Sequence, residues 1–439
     1  MTENKRQFKA IKGTRDILPP DSALWNWFEQ TARNTFESYN FREIRLPIFE
    51  ETELFARSVG SDTDIVSKEM FTFSTGHDAN LKEESPSPQS YSLRPEATAS
   101  VVRAYIEHGM QTLPGNVKLY YVGPMFRRER PQKGRYRQFY QIGAEVLGQS
   151  DAPSIDAEVI EMLVTFFKRA GLTRTTLYIN SIGDKNCRPQ YVEKLREELR
   201  NVSNQLGPDS QRRVETNPLR VLDSKLPEEQ AIILKLPRIS DHLCDACREH
   251  FAKLKEELSL RGIAYKENWR LVRGLDYYTR TTFEVIAEGL GSQNAVCGGG
   301  RYDGLVELLG GPSTKGIGFA IGTDRAILSI QESGKLPKLP GLAVFVAWMG
   351  QAAYPTAVNI TRKLRDAGLA VELPAEEMKF KKSLGLADKL GARYALLIGE
   401  DEVNSGTFTL KHLADSDQKK LSEFDLLEYL ESEQRGTRA

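Results

Sequence analysis

Apolar residues recur at helical spacing from Ser22 to Tyr39, with Trp25, Phe28 and Phe36 among them, and this spacing predicts a buried helix. A loop from Gly13 to Asp21 leads into it, and Phe41 to Pro47 alternates as a strand. Strands are also expected at Glu69–Phe73 and Tyr91–Arg94, joined by the polar, Ser/Pro-rich surface loop Gly76 to Ser90. Leu119-Tyr-Tyr-Val122 and Tyr136 to Gly148 flank a turn at Pro131 to Gly134, the pattern of a hairpin. On its return strand Phe139, Gln141, Gly143 and Glu145 share one face, and Tyr140, Ile142, Ala144 and Val146 share the other. Gly143 leaves room for a ligand to lie on the sheet. Ser154 to Ala170 reads as an amphipathic core helix stopped by Gly171, and Asp184 to Arg261 is charged and mostly helical in pattern. Beyond a Pro-rich linker at 336–341, strand and helix alternate through 342–439, which indicates a parallel α/β unit.

The chain has 439 residues, 40% hydrophobic and 27% charged, enough for two to four domains of an ordinary globular protein. The charged N-terminal stretch has no apolar core of a secretory signal, and the longest apolar run, Leu342 to Met349, is too short to span a bilayer. Four cysteines in such a length point to a reducing compartment, so a cytoplasmic location without membrane attachment is expected.

Net charge is zero, so any contact with nucleic acid must come from local patches. One patch stands out: Arg127, Arg128, Arg130, Lys133, Arg135 and Arg137 crowd around a single acid, Glu129, at the hairpin. Such a knot of charge must face an anion or repel itself. A clamp for polyphosphate and nucleic acid, beside a small polar pocket holding Gln141 and Glu145, is the reading that follows.

Five segments, in order, carry a resemblance to one family. They are the hairpin Gly123-Pro-Met-Phe-Arg127-Arg-Glu; Leu93-Arg-Pro-Glu96-Ala97-Thr98; Leu271-Val-Arg273-Gly-Leu-Asp-Tyr277-Tyr278; Gly298-Gly-Gly-Arg301-Tyr302-Asp303; and Gly316-Ile-Gly-Phe-Ala-Ile-Gly322-Thr-Asp-Arg325. Together they resemble the histidyl-tRNA synthetase family of class II aminoacyl-tRNA synthetases. The helix and strand ending at Pro47 are similar to the first class signature. The resemblance implies an α+β catalytic domain over 1–335, an antiparallel sheet flanked by helices. It implies a helical insertion at 184–261 that grips the tRNA acceptor end, and a C-terminal α/β anticodon-binding domain. It further implies a homodimer that joins L-histidine to the histidine tRNA through a histidyl-adenylate, using ATP with Mg²⁺.

Residue roles follow from the same resemblance. Arg127 and Arg273 are the expected catalytic groups, holding the histidine carboxylate and the α-phosphate. Arg325, in the first turn of a helix, takes the γ-phosphate, and Arg135 also contacts ATP. Glu96, Thr98 and Gln141 are expected around the α-ammonium, with Ala97 in the same loop. Glu145 and Tyr278 are expected at the imidazole, with Tyr277 and Tyr302 lining the pocket. The chemistry suits the residues: two anions must be held together in line, and always-charged guanidinium groups neutralise them.

The glycine runs at 298–300 and 316–322 do not give a dinucleotide or Walker pattern, and close packing explains them. His242-Leu-Cys244-Asp-Ala-Cys247-Arg-Glu-His250 offers four zinc ligands, but one C-x-x-C without a second pair is a common pattern. Because Leu243, Cys247, Phe251 and Leu254 also form an apolar helical face, no metal site is expected. Two other functions compete: a regulatory relative that binds histidine without charging tRNA, and a zinc-dependent nucleic-acid-binding module. Retention of every signature arginine and glutamate, and of the tail unit, favours the enzyme.

Overall fold

The computed structural model describes residues 7–60, 63–74, 90–289, 294–334, 336, 337, 339 and 341–438. The surface loop expected at Gly76 to Ser90 lies outside them, except for Ser90 itself. The chain forms two compact units, Met1–Pro337 and Lys338–Ala439, a break that falls inside the expected linker.

In the first unit the strands are β1 (Arg42–Glu43), β2 (Phe49–Glu51), β3 (Phe71–Ser74), β4 (Ser90–Leu93), β5 (Val117–Phe126), β6 (Gln138–Gly148), β7 (Thr175–Ser181), β8 (Lys266–Glu267), β9 (Thr279–Ala287), β10 (Ala295–Arg301) and β11 (Lys315–Gly322). Among the described residues eight of them make one sheet in the order β1-β5-β6-β11-β10-β9-β7-β8. Its interior is antiparallel throughout, while the two-residue edges β1 and β8 pair parallel. The strand expected at Phe41–Pro47 shortens to β1 because its pairing with β5 stops after Ile44, whose N–H still reaches Tyr120 O at 2.8 Å. A small sheet, β2-β4-β3, stands apart.

The helices are α1 (Asp21–Ser38), α2 (Thr52–Val59), α3 (Thr98–Glu107), α4 (Pro153–Arg169), α5 (Arg188–Asn201), α6 (Pro208–Thr216), α7 (Pro227–Ile233), α8 (Asp245–Leu260), α9 (Leu305–Leu308) and α10 (Thr323–Glu332). Helices α1 and α4 bury the apolar face of the sheet: Phe36 meets Tyr120, Phe166 and Phe319 edge-to-face at 5.6–5.8 Å between centroids. Such ring pairs add to the area they remove from water.

The segment 184–261 is helical as expected, but it is not a detached body. Its core of Tyr191, Leu195, Leu199 and Cys247 continues into Val272 and Tyr278, which lie outside the segment. Helix α8 packs along α4, burying Cys247, Leu254 and Leu258.

The second unit holds β12 (Val344–Trp348), α11 (Ala353–Asp366), β13 (Val371–Glu372), α12 (Phe380–Lys389), β14 (Tyr394–Ile398), α13 (Glu400–Ser405), β15 (Thr407–His412), β16 (Gln418–Ser422) and α14 (Glu423–Arg438). Its sheet order is β13-β12-β14-β15-β16. The first three strands are parallel, as the alternation predicts, and β15 and β16 are added by antiparallel pairing. Strand β16 and helix α13 escape the periodicity because both are short and mostly exposed. Among the described residues no helix is long and apolar enough to cross a membrane.

Candidate active site

Register across the main sheet builds the floor of a cleft. Tyr121, Gly143, Ala320, Gly298 and Glu284 lie side by side on five neighbouring strands, and Leu119, Glu145, Gly318, Gly300 and Thr282 form the next row on the same face. Opposed residues share a face, so the small residues in the middle of each row leave a trough. The trough opens into a cavity of about 620 Å³.

The glycines are there because side chains from neighbouring segments occupy their Cβ space. A Cβ on Gly318 would stand 1.7 Å from Glu145 Oε2, one on Gly298 1.8 Å from Arg273 Nη2, one on Gly143 2.2 Å from Tyr121 OH, and one on Gly316 2.2 Å from the Tyr302 ring. Close approach, not phosphate cradling, accounts for both glycine runs.

At one end of the cavity sits a polar pocket. Glu145 is 1% exposed; Thr98 Oγ1 donates to its Oε1 at 2.8 Å and Tyr302 OH to its Oε2 at 2.6 Å. Burial pushes the Glu145 carboxyl up to about 8, against the opposing pull of the hydrogen bonds from Tyr302 and Thr98. Glu96 is buried too and caps α3, accepting the Thr98 and Ala99 N–H groups at 2.7 and 2.9 Å. Burial raises its carboxyl despite these bonds. Gln141 Oε1 and Tyr121 OH face the cavity, buried and with no hydrogen-bond partner among the described residues. Tyr277 completes the wall, with its ring 4.7 Å from Tyr278 and 5.8 Å from Tyr302.

At the other end guanidinium groups gather. Arg127, Arg135, Arg273 and Arg325 all line the cavity. Arg127 donates from Nε to Pro95 O at 2.9 Å and lies over the Phe139 ring at 5.3 Å. Glu129 pairs with both Arg127, at 3.8 Å, and Arg135, at 3.1 Å. Arg273 reaches Glu284 at 2.6 Å. Arg325, in the first turn of α10, donates to Ala295 O at 2.9 Å. Burial, then the neighbouring Arg135, holds Arg325 below its ordinary value, so an anion here relieves repulsion.

Eleven of the expected side chains therefore converge on one cavity: Glu96, Thr98, Arg127, Arg135, Gln141, Glu145, Arg273, Tyr277, Tyr278, Tyr302 and Arg325. Ala97 does not; it is fully buried in the apolar cluster with Tyr105 and Leu305. The basic knot also divides. Lys133 turns away to Glu332 at 2.7 Å, and Arg137 donates to Lys12 O at 3.3 Å. Arg301 of the Gly-Gly-Arg-Tyr segment is buried against Asp156 at 2.7 Å and takes no part in the cavity.

Sequence reasoning missed Tyr121, Glu129 and Glu284 as cavity residues, although the alternation of β5 could have pointed to Tyr121. It also missed Arg94, which donates to Pro124 O at 2.9 Å, Leu46 O at 2.9 Å and Pro47 O at 3.1 Å. That one guanidinium ties the segment before β2 to the base of the hairpin.

The sequence matches the family model described as histidyl-tRNA synthetase over residues 13–326, and that of an anticodon binding domain over 343–433. The chain belongs to the histidyl-tRNA synthetase family. A histidine–tRNA ligase of Koribacter versatilis is 54% identical over 426 residues, covering 96% of each chain. One from Solibacter usitatus is 52% identical over 425 residues, covering 97% of this chain and 99% of its own. Among solved structures, the apo histidyl-tRNA synthetase of S. aureus superposes with a TM-score of 0.78 at 38% identity, covering 97% of this chain and 100% of its own.

Proposed function

We propose that this protein ligates L-histidine to the histidine tRNA at the cavity between β6, β10 and β11, with ATP as the energy source. The observation that carries the reading is the meeting of four guanidinium groups with a buried Glu145 pocket in one cavity.

In the first step a carboxylate oxygen of histidine bonds to the α-phosphorus and pyrophosphate leaves with the electron pair of the broken P–O bond. No protein nucleophile is needed. The barrier lies in bringing two anions into line, and Arg127 and Arg273, which both line the cavity, neutralise the carboxylate and the α-phosphate. Arg325 and Arg135 hold the outer phosphates, Arg325 aided by the N-terminal end of α10. In the second step a hydroxyl of the terminal tRNA ribose attacks the acyl carbon and AMP departs.

Gln141 Oε1 and Glu96 receive the α-ammonium, which supplies the donor that Gln141 lacks. Glu145 receives the imidazole. Thr98 gives its hydroxyl proton to Glu145 and so aims that carboxylate, while its oxygen keeps lone pairs for the ammonium. Glu129 and Glu284 are carboxylates facing the phosphate end, oxygen donors of the kind a hard, water-rich Mg²⁺ accepts beside phosphates. Mg²⁺ bound there supplies further charge neutralisation.

The exposed apolar groups Phe49 and Phe73 on the small sheet, with Ile48 just before it, fit a homodimer interface. The unit 342–439 supplies the anticodon contacts, and a cytoplasmic location suits both substrates. Charging of total tRNA with each amino acid in turn tests the proposal. Histidine alone should be attached, and charging with another amino acid at a comparable rate would refute it.

A further inference from the structure

Three cysteines and an aspartate that the activity does not use meet at the root of the helical insertion. Asp184 and Cys187 lie between β7 and α5, and Cys244 and Cys247 lie at the start of α8. One ligand atom from each falls within 4.8 Å of all the others. Cys187 Sγ is 3.9 Å from Cys247 Sγ and 3.7 Å from Asp184 Oδ1, and Cys244 Sγ is 3.9 Å from the same oxygen. A tetrahedral Zn²⁺ with Zn–S of about 2.3 Å and Zn–O of about 2.0 Å keeps its ligand atoms roughly 3.5–3.8 Å apart. These three separations are thus nearly the edges of that tetrahedron. They are far from a disulfide, whose sulfurs stand about 2.0 Å apart, and all four cysteines of the chain are free.

The surroundings are those of a bound thiolate. The Asp184 N–H donates to Cys187 Sγ at 3.4 Å. Gly183, with φ +67°, curls the loop around that sulfur, and a Cβ there would stand 2.8 Å from it. Arg280 Nη2 lies 3.5 Å from Asp184 Oδ2, a cation placed against the excess negative charge of three thiolates and a carboxylate. Cys187 and Cys247 are buried and Cys244 is half-buried, which leaves a route of entry.

We propose that Asp184, Cys187, Cys244 and Cys247 bind one Zn²⁺ as a structural cross-link that ties the entrance of the helical insertion to its final helix. Four protein ligands leave no open position for a substrate, and the thiolate-rich set selects Zn²⁺ over Mg²⁺. The ligand set differs from the His242-to-His250 stretch considered from sequence. His250 turns inward to Asp151 O at 3.1 Å and Asp156 at 3.7 Å, and His242 stacks on Tyr191. The ion closes a loop of 60 residues between Cys187 and Cys247, so binding energy becomes folding energy for the insertion.

The test is metal analysis of the full-length protein, purified without a metal-affinity tag and dialysed against metal-free buffer. One Zn²⁺ per chain is expected, and a mercurial that caps thiols should release it to a zinc-binding dye. Chelation should lower the melting temperature by several degrees, with recovery on adding Zn²⁺ but not Mg²⁺. Cys244→Ser with Cys247→Ser should lose the metal, whereas Asp184→Cys should keep it. If the double variant does not fold, the wild-type release assay still decides. Wild-type protein that holds no Zn²⁺ after reconstitution, with Cys187, Cys244 and Cys247 still open to thiol reagents, would overturn the proposal.

Discussion

The roles of individual side chains rest on charge placed where burial makes it count. Arg273 is fixed by Glu284 on one side and by the missing Cβ of Gly298 on the other. Arg273→Ala should lower adenylate formation by about 10²–10³-fold, the size of effect seen when one transition-state donor is removed. Histidine affinity should change little, as calorimetry would show; parallel losses in both would contradict the role. Glu145 gives a pH signature. With its carboxyl near 8 when the pocket is empty, and a free imidazole near 6.5, one proton is shared by the pair between those values. Below about 6.5 both partners carry protons and binding must release one. Above 8 neither does and binding must take one up. Affinity should therefore peak between the two values and fall above 8, and Glu145→Gln should remove the part of that flank that begins near 8, leaving only the loss that follows deprotonation of the α-ammonium at higher pH. An identical profile in the variant would remove Glu145 from the imidazole site. The arginines and Glu145 were legible in the sequence because their motifs are local. Tyr121 and Arg94 were not, since strand register and contacts across 30 or more residues, as with Arg94 and Pro124, set their surroundings; Glu129 and Glu284 pair with nearby arginines, but nothing local shows that these pairs line a cavity.

At the scale of elements, the hairpin β5–β6 was readable because alternation puts Gln141 and Glu145 on one face without any tertiary knowledge. What alternation cannot reveal is which strand lies next to it. The pairing with β11 and β10 turns two glycine runs into the floor of the cavity. Gly318→Ala tests this directly. The added methyl collides with Glu145 Oε2 and must break its bond to Tyr302. Histidine binding should weaken tenfold or more, about 1.4 kcal/mol per factor of ten, while ATP binding, measured separately, stays within a factor of a few. Equal loss of both ligands would mean that the sheet itself was disturbed. The insertion shows the opposite limit of sequence reading: its helices were evident, but Asp184 and Cys187 join Cys244 and Cys247 only because the loop after β7 folds against the start of α8.

For the whole molecule, composition and the change of texture at 336–341 located the division into two units to within a few residues. Each unit has its own apolar core, the second built on Val346, Ile360, Leu396 and Leu426. A chain ending at Pro337 should fold and form histidyl-adenylate at close to the full rate. Its kcat/KM for the histidine tRNA should fall tenfold or more, because the contacts of the second unit are gone. Undiminished charging by the shortened chain would show that 342–439 does not serve tRNA. The central claim is that one cavity joins histidine to ATP before any tRNA is present. Exchange of labelled pyrophosphate into ATP measures that step alone. The account predicts exchange with histidine, none with other amino acids, and its collapse in Arg273→Ala; folded protein that binds histidine and ATP yet exchanges no pyrophosphate would contradict it.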